Sequence, residues 1–263
     1  MLFEILIKIF VFLMGLIVGS FLNVCIFRLP KNESIVSPPS HCTNCGHEVL
    51  WHDNIPLLSY AILGGKCRFC KKNISFRYFL VEALTATLAL LLFSHFGLTA
   101  KFFAYAVLVS GLIVATFVDF EIQEIPDQVS VGGAVAGLVI AFAFPSIFDT
   151  ASRLSGLLDS FMGAIVGALS IYLMGAFGKM VFKKEAMGGG DVKLMAMIGA
   201  FLGWKQALLI FFMAPFFGGI VGLAQKLKDG RDIIPYGPYL SLAALIAIFF
   251  GSRILNFFMY GFF

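Results

Sequence analysis

The sequence predicts an all-α polytopic membrane protein of about eight transmembrane helices with one small polar insert. Three observations predict it. Hydrophobic residues are 60% of the chain and charged residues 13%, and the mean hydropathy is +0.95, far beyond what a soluble domain carries. Apolar runs close to the roughly 20 residues that cross a bilayer core recur along the chain. A single long polar stretch, 28–77, interrupts them and holds four of the five cysteines.

The elements follow in order. The run 9–27 is too long for the apolar region of a signal peptide, and no A-x-A cleavage pattern follows it. Residues 1–27 are therefore read as a permanent first helix. Further spans are expected near 78–96, 101–118, 128–148, 157–179, 191–203, 206–225 and 236–256. The sixth is too short to be ordinary.

Basic residues set the orientation. Arg28, Lys31, Lys66, Arg68, Lys71, Lys72 and Arg77 lie between spans one and two. Lys183 and Lys184 precede span six, and Lys226, Lys228 and Arg231 lie between spans seven and eight. The opposite loops hold little beyond Lys101, Arg153 and Lys205. Those basic loops are expected in the cytoplasm, with the N-terminus outside. The formal net charge of +4 is this topogenic bias. The expected surroundings are a lipid bilayer, and nothing here points to nucleic acid.

The polar stretch contains Cys42-x-x-Cys45 and, after 21 intervening residues, Cys67-x-x-Cys70. Each pair can sit on a tight knuckle whose thiolates converge, and two knuckles complete a tetrahedral four-sulfur zinc site. In a reducing compartment disulfides are disfavoured. With no position open, the metal would be structural, stapling a zinc-ribbon-like insert with little core of its own. His41, His47 and His52 are nearby substitutes for a thiol. Cys25, inside span one, reads as a small buried apolar residue.

Acids near the membrane are the next signal. Asp119 follows an apolar helix in "ATFVDFEIQEIPDQVS", and Asp191 opens the sixth span after Gly188-Gly189-Gly190. The topology puts both at the cytoplasmic face, 72 residues apart in sequence. From Asp191 to Trp204 is 14 residues, about 21 Å of helix against a core of roughly 30 Å. The glycines should therefore dip below the membrane surface, where irregular backbone survives only inside protein or beside water.

Two adjoining acids resist joint ionisation and share a proton. One can then draw a proton from water while the other polarises a peptide carbonyl. Bland readings stand beside this one. Asp119 would serve as a solvated loop acid, as Glu121 and Glu124 do, and Asp191 as a helix cap. A transporter with an acidic ion site at a broken helix fits the same pattern.

At this point the motifs resemble a family. "GSFLNVCIFRLP" (19–30), the C-x-x-C pairs around "DNIPLLSY" and "GGKCRFC", "ISFRYFLVE", "VDFEIQEIPD", "GGGD" and "IPYGPYL" (234–240) occur in one order. Together they resemble the type IV prepilin peptidases, bifunctional membrane enzymes of the GxGD aspartic protease group. The resemblance covers nearly the whole chain. It implies Asp119 and Asp191 as the catalytic pair, with Asp127 the alternative first acid.

The implied substrate is a prepilin or pseudopilin, whose short basic leader precedes a hydrophobic helix. It is cut after a glycine at the cytoplasmic face of the bacterial inner membrane. The freed amine is then methylated with S-adenosylmethionine. Glu33, Glu48, Asp53 and Glu185 are the acids available to a basic leader. The implied organisation is a first helix (1–27), a zinc-binding insert tied to methyltransfer (28–77) and a peptidase core (78–263).

No glycine-rich nucleotide fingerprint marks the methyl donor's site. Asn23, Arg28, Asp53, Asn54 and Glu82 are the polar positions within matched motifs that could line it. Glu82 is an expensive acid one turn inside span two. Its bland role is pairing with Arg28 or Arg77, while Asp53 and Asn54 shape a turn. "IPYGPYL" reads either as a helix break with interfacial tyrosines or as a pocket wall. Two rivals remain: a leader peptidase without methyltransferase activity, and a zinc-ribbon transporter using the two aspartates as an ion site.

Overall fold

The computed structural model describes residues 2–183, 187–229 and 235–261. Lys184, Glu185 and Arg231, named above, lie outside the described residues. Among those described, the protein is all-helical, with two isolated antiparallel bridges, His41 with Glu48 and Lys66 with Asn73. Residues 1–98 and 99–263 form two compact units.

The first unit pairs α1 (Leu2–Arg28) with α3 (Phe76–Phe96). Gly15 and Gly19 make the contact. A Cβ on Gly15 would lie 2.7 Å from Ala86 Cα, and one on Gly19 would lie 2.7 Å from Glu82 Cα. Rising positions on α1 meet falling positions on α3, so the helices run antiparallel. Small residues four apart let two backbones touch, which supplies dispersion where lipid offers no hydrophobic drive. Large apolar side chains such as Phe3, Phe10 and Ile17 stay exposed along α1, as a lipid-facing surface requires.

Between these helices sits the insert. Arg28, buried at the end of α1, donates to Ser34 O at 2.8 Å and Pro38 O at 2.7 Å, tying down the first loop. A 3-10 turn, Trp51–Asn54, leads into α2 (Leu58–Ile62). Ser75 caps α3, accepting from the Arg77 N–H, and Gly97 ends it at φ 61°.

The second unit holds α4 (Ala100–Ile122), α5 (Asp127–Ala143), α6 (Arg153–Phe182), α7 (Gly189–Asp229) and α8 (Gly237–Tyr260). Helix α7 is broken at Gly203, whose φ 80° and ψ 169° are not helical. Only glycine adopts that backbone readily. The segment before the break is the centre of the unit: Leu194, Met195, Met197, Ile198, Ala200 and Phe201 are all buried. Helix α6 closes over it, with Gly163 against Gly199 and Ser160 Oγ donating to Ala200 O at 2.7 Å.

Among the described residues six helices are long and apolar enough to cross a bilayer, and Asp127–Ala143 is a shorter apolar one. With α7 divided at Gly203 these give the eight apolar segments the sequence predicts. The chain is a multi-pass membrane protein.

Candidate functional site

Asp119 stands in the last turn of α4, 5% exposed. That position opposes the helix dipole, which disfavours an anion at a C-terminus. The compensating donor comes from elsewhere. Gly237, first residue of α8, donates its N–H to Asp119 Oδ2 at 2.9 Å. The first N–H groups of a helix have no intrahelical partner, and Pro238 right behind it has none to offer. A Cβ on residue 237 would lie 2.9 Å from the same oxygen, so glycine is what admits the carboxylate.

Asp191 is 9% exposed in the first turn of α7, where the dipole favours it. Its Oδ2 accepts from Gly188 N at 3.3 Å, the return half of a capping box. The expected capping role is thus present, and it leaves the acid buried within electrostatic reach of Asp119. Gly190 lies against Ile125 just beyond α4, with a Cβ there only 3.2 Å from Ile125 Cβ. That close packing holds the glycine-rich entry to α7 against the end of α4. Tyr236 adjoins the pair: Asp191's charge reaches its phenol, and its hydroxyl is buried without a partner among the described residues.

Asp127 stands apart. It is an exposed acid at the start of α5, bonded to Lys193 Nζ at 2.6 Å.

In the first unit the ligating atoms of Cys42, Cys45, Cys67 and Cys70 all lie within 4.8 Å of one another. Cys42 Sγ and Cys70 Sγ are 3.8 Å apart. Four sulfurs around zinc at about 2.3 Å are separated by about 3.8 Å in a tetrahedron, so the cluster fits that ion. Both knuckles have one plan: Cys42 N bonds His47 O and Cys67 N bonds Lys72 O, each at 2.9 Å. Backbone N–H groups of Asn44 and Cys45 hold the Cys42 thiol below its ordinary value. The Lys72 N–H, then the Asn44 amide, bring Cys70 down to about 6. Cys45 goes up to about 11: the His47 N–H lowers it, but burial and the neighbouring thiols raise it. His47 instead stacks on Phe69, their rings 4.3 Å apart.

The positions expected to line a methyl-donor pocket have definite partners. Arg28 holds the loop carbonyls described above. Asp53 grips Arg68 Nε at 2.6 Å and Nη2 at 2.5 Å, and that guanidinium holds its carboxyl below the ordinary value. Asn54 closes the 3-10 turn. Asn23 Nδ2 donates to Tyr78 O at 3.0 Å. Glu82 accepts the Leu57 N–H at 2.8 Å and bonds Ser20, a backbone donor and a hydroxyl in place of the expected cation. Beside Arg28 a cleft of about 470 Å³ is lined by Phe27, Glu33, Ser34 and His41 among others.

Comparison with known proteins decides the family. Residues 13–96 match the bacterial peptidase A24 N-terminal domain, and residues 106–223 match the type IV leader peptidase family. A prepilin leader peptidase/N-methyltransferase of Pseudomonas aeruginosa is 36% identical over 92% of this chain and 90% of its own. The chain belongs to the type IV leader peptidase family. A relative of the same description from Aeromonas hydrophila is 34% identical over 96% of this chain and 93% of its own. One from Myxococcus xanthus is 45% identical over 85% of this chain, which spans 64% of that longer relative. No solved structure matches the chain.

The sequence reading missed Gly237, Leu57 and Ser20. Only "IPYGPYL" carried a signal: Gly-Pro at a helix start leaves one free N–H, though not its target.

Proposed function

We propose that this chain removes the leader of prepilin-like substrates at the cytoplasmic face of a bacterial inner membrane, then methylates the freed amine. The observation that carries the peptidase reading is the buried pair Asp119 and Asp191 in a chain of this family. Each carboxylate has Oδ2 tied to a glycine N–H, leaving Oδ1 of each for a shared proton and a water. The ionised partner takes a proton from that water as it attacks the scissile carbonyl. The protonated partner donates its proton to the carbonyl oxygen. The first acid then passes the proton it took from water to the leaving amine as the C–N bond breaks, and the intermediate's hydroxyl returns a proton to the second acid. A prepilin's hydrophobic helix would approach from the bilayer, with its leader on the watery side.

In the insert, Cys42, Cys45, Cys67 and Cys70 would hold a structural zinc ion. The cleft beside Arg28 has the volume of a small-ligand site, and its aromatic and charged lining suits S-adenosylmethionine, with Phe27, Arg28 and Glu33 as holding residues. When bound, that donor supplies an activated methyl group. Family membership weighs against the transporter. The N-terminal domain match and the complete cysteine set weigh against a peptidase that has lost methylation.

The test is cleavage of a detergent-solubilised prepilin by wild type, Asp119→Asn and Asp191→Asn. Cutting by wild type alone is expected, and near-normal cutting by either variant would sink the dyad. Zinc removal by a strong chelator is expected to unfold the insert and abolish methylation of pre-cleaved pilin. Unchanged methylation by zinc-free protein would exclude the structural role.

A further inference from the structure

An acceptor without a donor, one turn from a buried carboxylate, marks another site in the first unit. Glu82 is 8% exposed within α3, with Oε2 on the Leu57 N–H. Asn23, on α1, is 2% exposed, and its Oδ1 is buried with no partner among the described residues. The amide cannot be turned to cure this. Its Nδ2 donates to Tyr78 O and Gly19 O, and a flip would set Oδ1 against two carbonyls. Gly19 lies on Glu82 Cα, while Asn23, one turn further, bonds the residue one turn before Glu82. The two side chains therefore belong to successive turns of one helix seam. What Asn23 lacks is a donor, and Glu82, held by the neutral donors Leu57 N–H and Ser20, is a carboxylate in a membrane span that calls for a positive one.

The cover over Glu82 is strained. Leu57 has φ 59° and ψ −46°, and Leu58 N bonds Pro56 O at 2.6 Å. This is a γ-turn of the uncommon positive-φ kind, which a leucine adopts only under constraint. A cationic donor arriving at Glu82 can replace the Leu57 N–H and let the turn relax. Asn23 also lies five residues before Arg28 on α1, about 7.5 Å of helix from a wall of the cleft.

We propose that Glu82 and Asn23 receive the freed N-terminal amine of the processed substrate, with the Leu57 turn as a displaceable cover. The proposal rests on the methyltransfer reading above and adds the site of the acceptor. The amine binds as an ammonium between the Asn23 amide oxygen and the Glu82 carboxylate. It passes one proton to Glu82, which frees the nitrogen lone pair. A C–N bond then forms as the donor's C–S bond breaks, its electron pair staying on sulfur, and Glu82 later releases its proton to water.

The test uses the full chain in lipid nanodiscs and a synthetic pilin-like transmembrane peptide that begins with phenylalanine. Binding of its free-amine form is compared with that of an N-acetylated twin. Wild type is expected to prefer the free amine about tenfold, as a charge-assisted hydrogen bond would give. Glu82→Gln should erase the preference, while prepilin cleavage, which depends on Asp119 and Asp191, persists. Asn23→Leu, a second variant in case the first misfolds, should reduce it several-fold. Equal binding of both peptides by wild type, or an intact preference in Glu82→Gln, overturns the proposal. A wild type that discriminates the peptides but methylates neither supports the amine site and defeats the methyltransfer reading. One that methylates without discriminating does the reverse.

Discussion

Asp119 and Asp191 are the same side chain at similar burial, held in opposite ways. Asp191 gains its donor from Gly188, three residues away, and the favourable end of its own helix. Asp119 sits at the unfavourable end of its helix and relies on Gly237, 118 residues away. A buried carboxylate needs a donor in either case. The difference is whether that donor is local or must be delivered by the fold. The local one is robust, because it forms whenever the helix forms. The delivered one depends on α8 arriving in register.

Substitutions can break that comparison. The largest effect is expected from Asp119→Asn and Asp191→Asn, each losing about a thousandfold or more in cleavage rate, since each removes a proton-transfer group. Gly237→Ala comes next. Its Cβ would crowd Asp119 Oδ2 at 2.9 Å, and displacing a catalytic group by a fraction of an ångström should cost roughly ten- to a hundredfold in kcat. Gly188→Ala sharpens the contrast. Its Cβ would meet Asp191 Oδ2 at an ordinary 3.5 Å and the N–H remains, so a loss below about threefold is expected. If the two glycine variants lose activity equally in the same prepilin assay, the distinction between local and delivered donors is wrong.

The smallest effect is expected at Asp127. Its pair with Lys193 is exposed, and such pairs contribute about 1 kcal/mol or less. Asp127→Asn should keep cleavage within about twofold of wild type and leave the melting temperature nearly unchanged. A large loss there would move the first acid from Asp119 to Asp127.

Much was legible in the sequence because it is local. Apolar run length marks a span, whatever it packs on. Two C-x-x-C pairs carry their own turn geometry, so their convergence needed only one short connection between them. The short sixth segment, 191–203, ends at Gly203, where a glycine follows the last buried turn. The partners of Glu82 were not legible. Nothing near it in sequence says that a strained Leu57 turn folds back over it, and the charge-pairing habit suggested an arginine. Arg28 is instead taken up by loop carbonyls of the insert.

The sequence by itself determined the membrane class, the four-thiol cluster and the acids worth watching, because hydropathy, spacing and helix-end chemistry act over a few residues. Only the tertiary structure decided which donor holds Asp119, why residue 237 must lack a side chain, and that Asn23 and Glu82 share one seam. Those are contacts between segments far apart in the chain. Close helix packing fixes them to fractions of an ångström, and no local pattern encodes that distance.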